Sequence, residues 1–192
     1  MVASELSPTE RKAVAAAIAA ARARTKAQFA LVIVPDSDHY RFYPPIWSAC
    51  IALLAAGALA FAFPHLGLRL AFVIQAALFA VLTLALEWRP LRLLAAPPGA
   101  KRAAAHARAE REFTSRVLAH PDRNGGVLFF VSLGEHYAEI IADRTLHQAA
   151  GQAAWDKIVA DFTAAARAGQ IAQGFIAGVD ACGAQLEKHH PK

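Results

Sequence analysis

The sequence predicts an α/β sandwich interrupted by a two-helix transmembrane hairpin. Two uncharged apolar runs, residues 45–63 and 70–86, stand side by side, and short strand-like runs alternate with helical segments before and after them. Of the 192 residues, 56% are hydrophobic and 18% charged, where a soluble domain has about 45–50% apolar residues. Mean hydropathy is +0.32. Such a composition excludes a disordered chain. The expected organisation is a first part of the α/β domain over 1–43, the hairpin over 44–90 and the second part of the domain over 91–192.

Ser7-Pro8-Thr9-Glu10 reads as a capping box, with Ser at the N-cap, Pro at the first helical position and Glu at N3. The helix it opens runs to about residue 27 and places Val14, Ile18 and Ala21 on one stripe. No apolar run typical of a signal peptide occurs in residues 1–26, so the first hydrophobic run is expected to act as its own insertion signal. Phe29-Ala30-Leu31-Val32-Ile33-Val34 is a buried strand by length and β-branched content, ended by Pro35. The polar loop Asp36-Ser37-Asp38-His39 follows.

The run 45–63 is long enough, at 1.5 Å per residue, to cover roughly 28 Å of a hydrocarbon core of about 30 Å. The run 70–86 is slightly shorter, with Gln75 as its most polar member, suited to a hydrogen bond between helices. Trp47 and Trp88 mark the interfaces, and Pro64 and Gly67 break the connection. Arg41, Arg89, Arg92, Lys101 and Arg102 flank the outer ends, whereas Arg69 stands alone at the inner turn. The net charge of +5 therefore sits beside the bilayer, which argues for anionic headgroups and topology rather than nucleic acid. By the same asymmetry, both termini and the soluble domain are expected in the cytoplasm.

Pro97-Pro98-Gly99 is expected to break the chain before a helix over 100–120, with Ala104, Ala107, Phe113, Val117 and Leu118 as contacts. A turn cluster follows over 120–126, whose Asn124-Gly125-Gly126 could offer amides to an anion but equally forms a plain turn. Residues 127–133 form a second buried strand, Gly134-Glu135-His136 a hairpin turn, and residues 137–142 a third strand. Two helices close the fold, over 152–168 with Trp155, Ile158, Val159 and Phe162, and over 171–186 with Gly174, Gly178 and Cys182 as a close-packing stripe. Gly169 is the stop between them. The two cysteines, Cys50 and Cys182, read as small buried hydrophobes in a reducing compartment rather than a disulfide.

The run from Asn124 to Val131, followed by 137–143, resembles the central strands of the TPM domain family, named for thylakoid-lumen, photosystem-repair and MOLO-type proteins. Leu6-Ser7 before Glu10, Thr25, the strand 30–34, Phe162 and Gly169 to Gly174 fit the same pattern. The resemblance covers most of 5–43 and 100–188, and the chain looks like the bacterial subgroup whose domain is interrupted by a membrane hairpin. It implies a small α/β/α sandwich at the inner membrane. It also implies either an assembly, repair or accessory role or, for some members, acid phosphatase activity or calcium binding. Many relatives carry a Gly-Tyr-Gly type segment after the third strand, where this chain has Ala142-Asp143-Arg144.

No nucleophile elbow, zincin motif, P-loop or Cys-x-x-Cys pair occurs. The candidate metal ligands are Asp36, Asp38, Glu135 and Asp143, all at predicted strand ends. Gathered there, hard oxygen ligands would suit calcium or magnesium and could polarise a phosphate; the same positions suit ordinary turn and cap residues. The expected role is a non-catalytic accessory factor with the lipid bilayer and a membrane protein as partners, self-association being open, and a metal-dependent phosphatase is the alternative.

Overall fold

Strand β2 (Gly126–Ser132) is buried along its whole length, as an unbroken apolar run requires when both faces of a sheet are covered. The computed structural model describes residues 7–119 and 125–191. Strand β1 (Gln28–Val34) lies parallel to β2, with Gln28 opposite Gly126 and Val34 opposite Ser132. Strand β3 (Tyr137–Ala142) runs antiparallel on the other side, with Tyr137 opposite Ser132 and Ala142 opposite Val127. The sheet order is β1-β2-β3. Gly134-Glu135-His136 forms the predicted turn, closed by the His136 amide donating to the Leu133 carbonyl at 3.2 Å.

Alternation along the strands sends Phe29, Val127, Phe129 and Val131 to one face and Ala30, Val32, Leu128 and Phe130 to the other. Four helices cover the first face: α1 (Pro8–Arg24), α6 (Arg144–Ala150), α7 (Gln152–Arg167) and α8 (Ile171–His189). The capping box is present, with Ser7 Oγ accepting from the Glu10 amide and Glu10 Oε2 from the Ser7 amide at 2.7 Å. Val14 and Ala21 are buried, and Ile18 packs beside them. The rings of Phe129, Phe162 and Phe175 meet edge-on or tilted, at 5.3 Å for Phe129–Phe162 and 4.8 Å for Phe162–Phe175, each contact contributing about 0.5–1.5 kcal/mol beyond burial.

Helix α8 comes close because its stripe is small. A Cβ on Gly178 would stand 2.7 Å from Phe129 Cε1, and one on Gly174 3.1 Å from Ala165 Cβ. Cys182 completes the stripe, fully buried, and burial pushes its thiol pKa up to about 12. It is an apolar packing group, as expected; Cys50 differs, being exposed on the hairpin. The end of α8 is fastened by buried Thr25, whose hydroxyl donates to the His190 carbonyl at 2.7 Å and accepts from the Ala27 amide at 3.0 Å.

Helix α5 (Pro98–Phe113) covers the second face. Its contacts are Ala105, Ala109, Phe113 and Val117 rather than Ala104, Ala107 and Leu118; Leu118 is 52% exposed. A strict spacing of four drifts about 40° per step around a helix of 3.6 residues per turn. A single π turn at Thr114–Leu118, whose bond runs from the Ala119 amide to the Thr114 carbonyl at 3.0 Å, widens the turn and brings Val117 back to the sheet. The helix begins two residues before its expected start, because Pro98 opens α5 instead of preceding it. Two seven-residue helices, α4 (Arg89–Ala95) and α6, were not expected; they are too short to show a helical period. The part of the turn cluster at 120–124 lies outside the described residues.

The chain divides into two compact units, one of residues 1–37 and 102–192 and one of residues 38–101. The second holds α2 (Tyr43–Ala62), α3 (Leu68–Leu86) and α4. Helices α2 and α3 pack against each other through the short connection 63–67, and α4 packs on both, with Trp47 Nε1 donating to the Ala95 carbonyl at 3.0 Å. Both long helices are long and apolar enough to cross a membrane, yet only 11% of the apolar window of α2 and 0% of that of α3 is buried. A core helix of a soluble protein would be mostly buried; here Phe61, Phe72 and Leu84 are bare.

Gly178→Ala should lower stability by about 1–3 kcal/mol, the cost of overpacking against Phe129. Gly57→Ala, with open space around the position, should not. Thermal unfolding of the two variants followed by near-UV circular dichroism checks the difference.

Candidate functional site

The carboxyl ends of β1 and β2 lie side by side because the strands are parallel, the position at which open α/β sheets place their sites. Each strand ends on a serine or runs into one. Ser37 and Ser132 are buried, and Ser37 Oγ lies 2.9 Å from Ser132 Oγ, donating to it. Glu135, in the β2–β3 turn, accepts from the Ser37 amide at 2.8 Å through Oε1 and makes a short hydrogen bond to Ser132 Oγ through Oε2. The Gly134 amide donates to the Pro35 carbonyl at 2.8 Å, and a Cβ on Gly134 would collide with the Asp36 carboxylate. Asp36 and Glu135 thus belong to one joint that ties the β1 exit to the hairpin turn.

A cleft of about 380 Å³ opens beside this joint, within the size range of small-ligand sites. Val131, Ala138, Phe162, Ala166 and Ile171 make its apolar wall, and Ser132, His136, Thr163 and Arg167 its polar groups. His136 holds a left-handed backbone, φ 49°, fixed by the turn bond to Leu133. Sequence reading passes over Ser37, Ser132, Thr163 and Arg167, since none stands in a motif. The one signal is that Ser132 is a polar residue closing a wholly apolar strand.

Asp143 lies at the opposite end of the sheet. Because β3 runs back against β2, its carboxyl end pairs with the start of β2, about 20 Å from Ser132 at the usual rise per strand residue. The convergence of Asp36 with Asp143 expected from adjacent strands is therefore not what the topology gives. Asp143 is the N-cap of α6. Its carboxylate accepts from the Leu146 amide and the Thr145 hydroxyl, each at 2.8 Å, and from the Gly126 amide at 3.1 Å. Asp38 accepts from the His39 amide at 2.6 Å, a local turn bond. Among the described residues, no three His, Cys, Asp or Glu side chains are grouped as a metal site.

A second polar cluster joins α5 to β3. His106 Nδ1 lies 3.0 Å from both Glu139 oxygens, its Nε2 3.5 Å from Glu110, and Tyr137 donates to Glu139 at 2.9 Å. The hydrogen bond to Glu139, and then its charge, raise the His106 pKa above 6.5. Burial, then Glu139, raises that of Tyr137. The Tyr137 hydroxyl therefore stays protonated and serves as a fixed donor.

A three-stranded mixed sheet between helical layers, its parallel pair ending in a polar joint, defines a small α/β/α sandwich protein. Residues 99–185 match the model of the TPM domain, and the chain carries a TPM domain, as its resemblance implied. The match spans α5 to most of α8, with α1 and β1 completing the sandwich. The fold is similar to the NMR structure of BA42 protein from the psychrophilic bacterium Bizionia argentinensis, at TM-score 0.58 and 15% identity, covering 100% of this chain and 88% of that one. No curated protein matches the chain.

Asp143→Ala should cost about 1–2 kcal/mol, as loss of an N-cap does, and by the same amount with calcium or with chelator in chemical denaturation. A loss confined to the calcium samples would make Asp143 a metal ligand. His106→Gln should remove a small stabilisation, under about 1 kcal/mol for so exposed a pair. A raised folded-state pKa stabilises fully below the unfolded value of about 6.5 and loses its effect as pH rises through the folded value. Denaturation midpoints of wild type and variant should accordingly differ at pH 5 and converge at pH 8.

Proposed function

We propose that the chain is a membrane protein whose hairpin α2–α3 crosses the inner membrane, and that its TPM domain acts from the cytoplasmic face as a non-catalytic interaction, assembly or accessory factor. The observation that carries this is the bare apolar surface of two spanning-length helices, which water would not tolerate and lipid would. Arg41, Arg89, Arg92, Lys101 and Arg102 flank the ends of the pair away from the turn, against Arg69 alone at the turn, the distribution of a hairpin whose open end faces the cytoplasm. Glu87 pairs with Arg92 at 3.6 Å. The positive-inside rule counts basic residues rather than net charge, so this pair does not weaken the support they give to that orientation.

The absence of a catalytic motif and the separate placement of Asp36 and Asp143 support an accessory role over a phosphatase built on these carboxylates. The domain then works by what it holds beside the bilayer.

The full-length protein should stay with membranes after alkaline carbonate washing. An introduced cysteine at Gly99 should be blocked only by a membrane-permeant maleimide, and one at His65 by an impermeant reagent as well. Protein released by carbonate, or the opposite labelling, would reject the membrane reading. Mild cross-linking in membranes should yield a discrete adduct with a neighbouring protein, and no such adduct would remove the accessory role.

A further inference from the structure

The cleft beside the Ser37–Ser132–Glu135 joint combines three properties that together describe its ligand. Its wall is apolar: Val131 and Ala138 from the sheet, Phe162 and Ala166 from α7, Ile171 from α8. Its volume of about 380 Å³ corresponds to about a dozen water molecules at roughly 30 Å³ each, room for one large apolar residue with its carboxylate. Its rim is cationic on one side. Arg167 lines it from the last turn of α7, where the helix dipole favours a cation. Among the described residues, Arg167 makes no ion pair or side-chain hydrogen bond. His136 adds a ring N–H from the turn.

The nearby carboxylates narrow the anion. Glu135 is bonded to Ser132, which itself lines the cleft, and Asp36 packs on Gly134 of the same turn. Their charge opposes a dianion such as a phosphate monoester and leaves room for a single negative charge facing Arg167. A planar carboxylate suits the guanidinium fork.

The remaining property is an open sheet edge. β3 is the last strand of the sheet, and its first residues, Tyr137 and Ala138, line the cleft. Every residue of β3 is half-buried. Among the described residues, no strand pairs with the side of β3 away from β2. An extended chain can add there by main-chain hydrogen bonds, leaving its end in the cleft.

We infer that the cleft captures the C-terminus of an extended polypeptide. The last apolar side chain packs on Phe162, Ala166 and Ile171, the terminal carboxylate meets Arg167 and His136, and the preceding residues run along the outer edge of β3. The inference rests on the reading of the domain as a partner-binding module and names the chemical feature by which the partner is held.

The test uses the full-length protein in nanodiscs and two fluorescein-labelled hexapeptide pools, both ending in Leu, Ile, Val or Phe, one with free carboxyl termini and one amidated. Fluorescence anisotropy should show the free-acid pool binding at least about tenfold more tightly than the amide pool, the scale of one charge-assisted hydrogen bond. Arg167→Gln, at an exposed helix end, should weaken the acids about tenfold, leave the amides unchanged and leave the melting temperature unchanged. Phenyl phosphate should compete poorly with the acids. Equal binding of both pools, no binding of either, or an Arg167→Gln variant that binds the acids as well as wild type would overturn the inference. The accessory role is judged separately by the membrane cross-linking adduct, so a discrete adduct without acid-selective peptide binding would reject this inference alone.

Discussion

Everything in the sandwich depends on burying β2 on both faces. A strand whose seven residues are all inside cannot sit at the surface of a sheet, so it needs a neighbour on each side and a helical layer above and below. The aromatic residues show how demanding this is. Phe129 occupies one face and Phe130 the other, and each needs its own cover. Helix α8 meets Phe129 only because position 178 has no side chain. Helix α5 meets the other face through Ala105, Ala109 and Phe113, and a π turn extends the contact by returning Val117 to it. Both are local departures from ordinary helix chemistry made to satisfy one strand.

The same strand organises the polar part of the molecule. Running parallel to β1, it places two strand ends together, and the serines there bond to each other and to Glu135 instead of standing unsatisfied in the interior, which would cost about 1–3 kcal/mol for each lone group. Running antiparallel to β3, it sends Asp143 to the far end, where that carboxylate caps α6 and clamps the start of β2. One acidic residue at each end of the sheet is thus a fastening between neighbouring elements. The open cleft beside the serine joint brings polar groups and apolar surface together, with Ser132 shared between the two.

How much of this could be read from the amino acids differs by element. The capping box, the three strands, the turn at Gly134-Glu135-His136 and the two long C-terminal helices carry strong local signals, and each lies within a few residues of its expected place. Helices α4 and α6 carry none, since seven residues complete only about two turns. On α5, Phe113 and Val117 stand on the expected face, but the buried alanines are Ala105 and Ala109 rather than Ala104 and Ala107, because in an alanine-rich stretch no larger side chain marks the contact stripe. The site was legible only in part. Asp36 and Glu135 were placed correctly at strand ends, but the pairing direction of β3, a non-local property, decides which ends meet. Arg167 and Thr163 reach the cleft from a helix distant in sequence, and only packing brings them there.

The parallel pairing of β1 with β2 has a consequence for biogenesis. β1 is complete at Val34, but its partner begins at Gly126, after the whole apolar hairpin. During synthesis the hairpin therefore leaves the ribosome while β1 has nothing to pair with, and the globule cannot close around it. Commitment of the hairpin to its surroundings precedes assembly of the sheet. The order in which the chain is made thus separates the apolar hairpin from the sheet in time, before a half-formed core could compete for it.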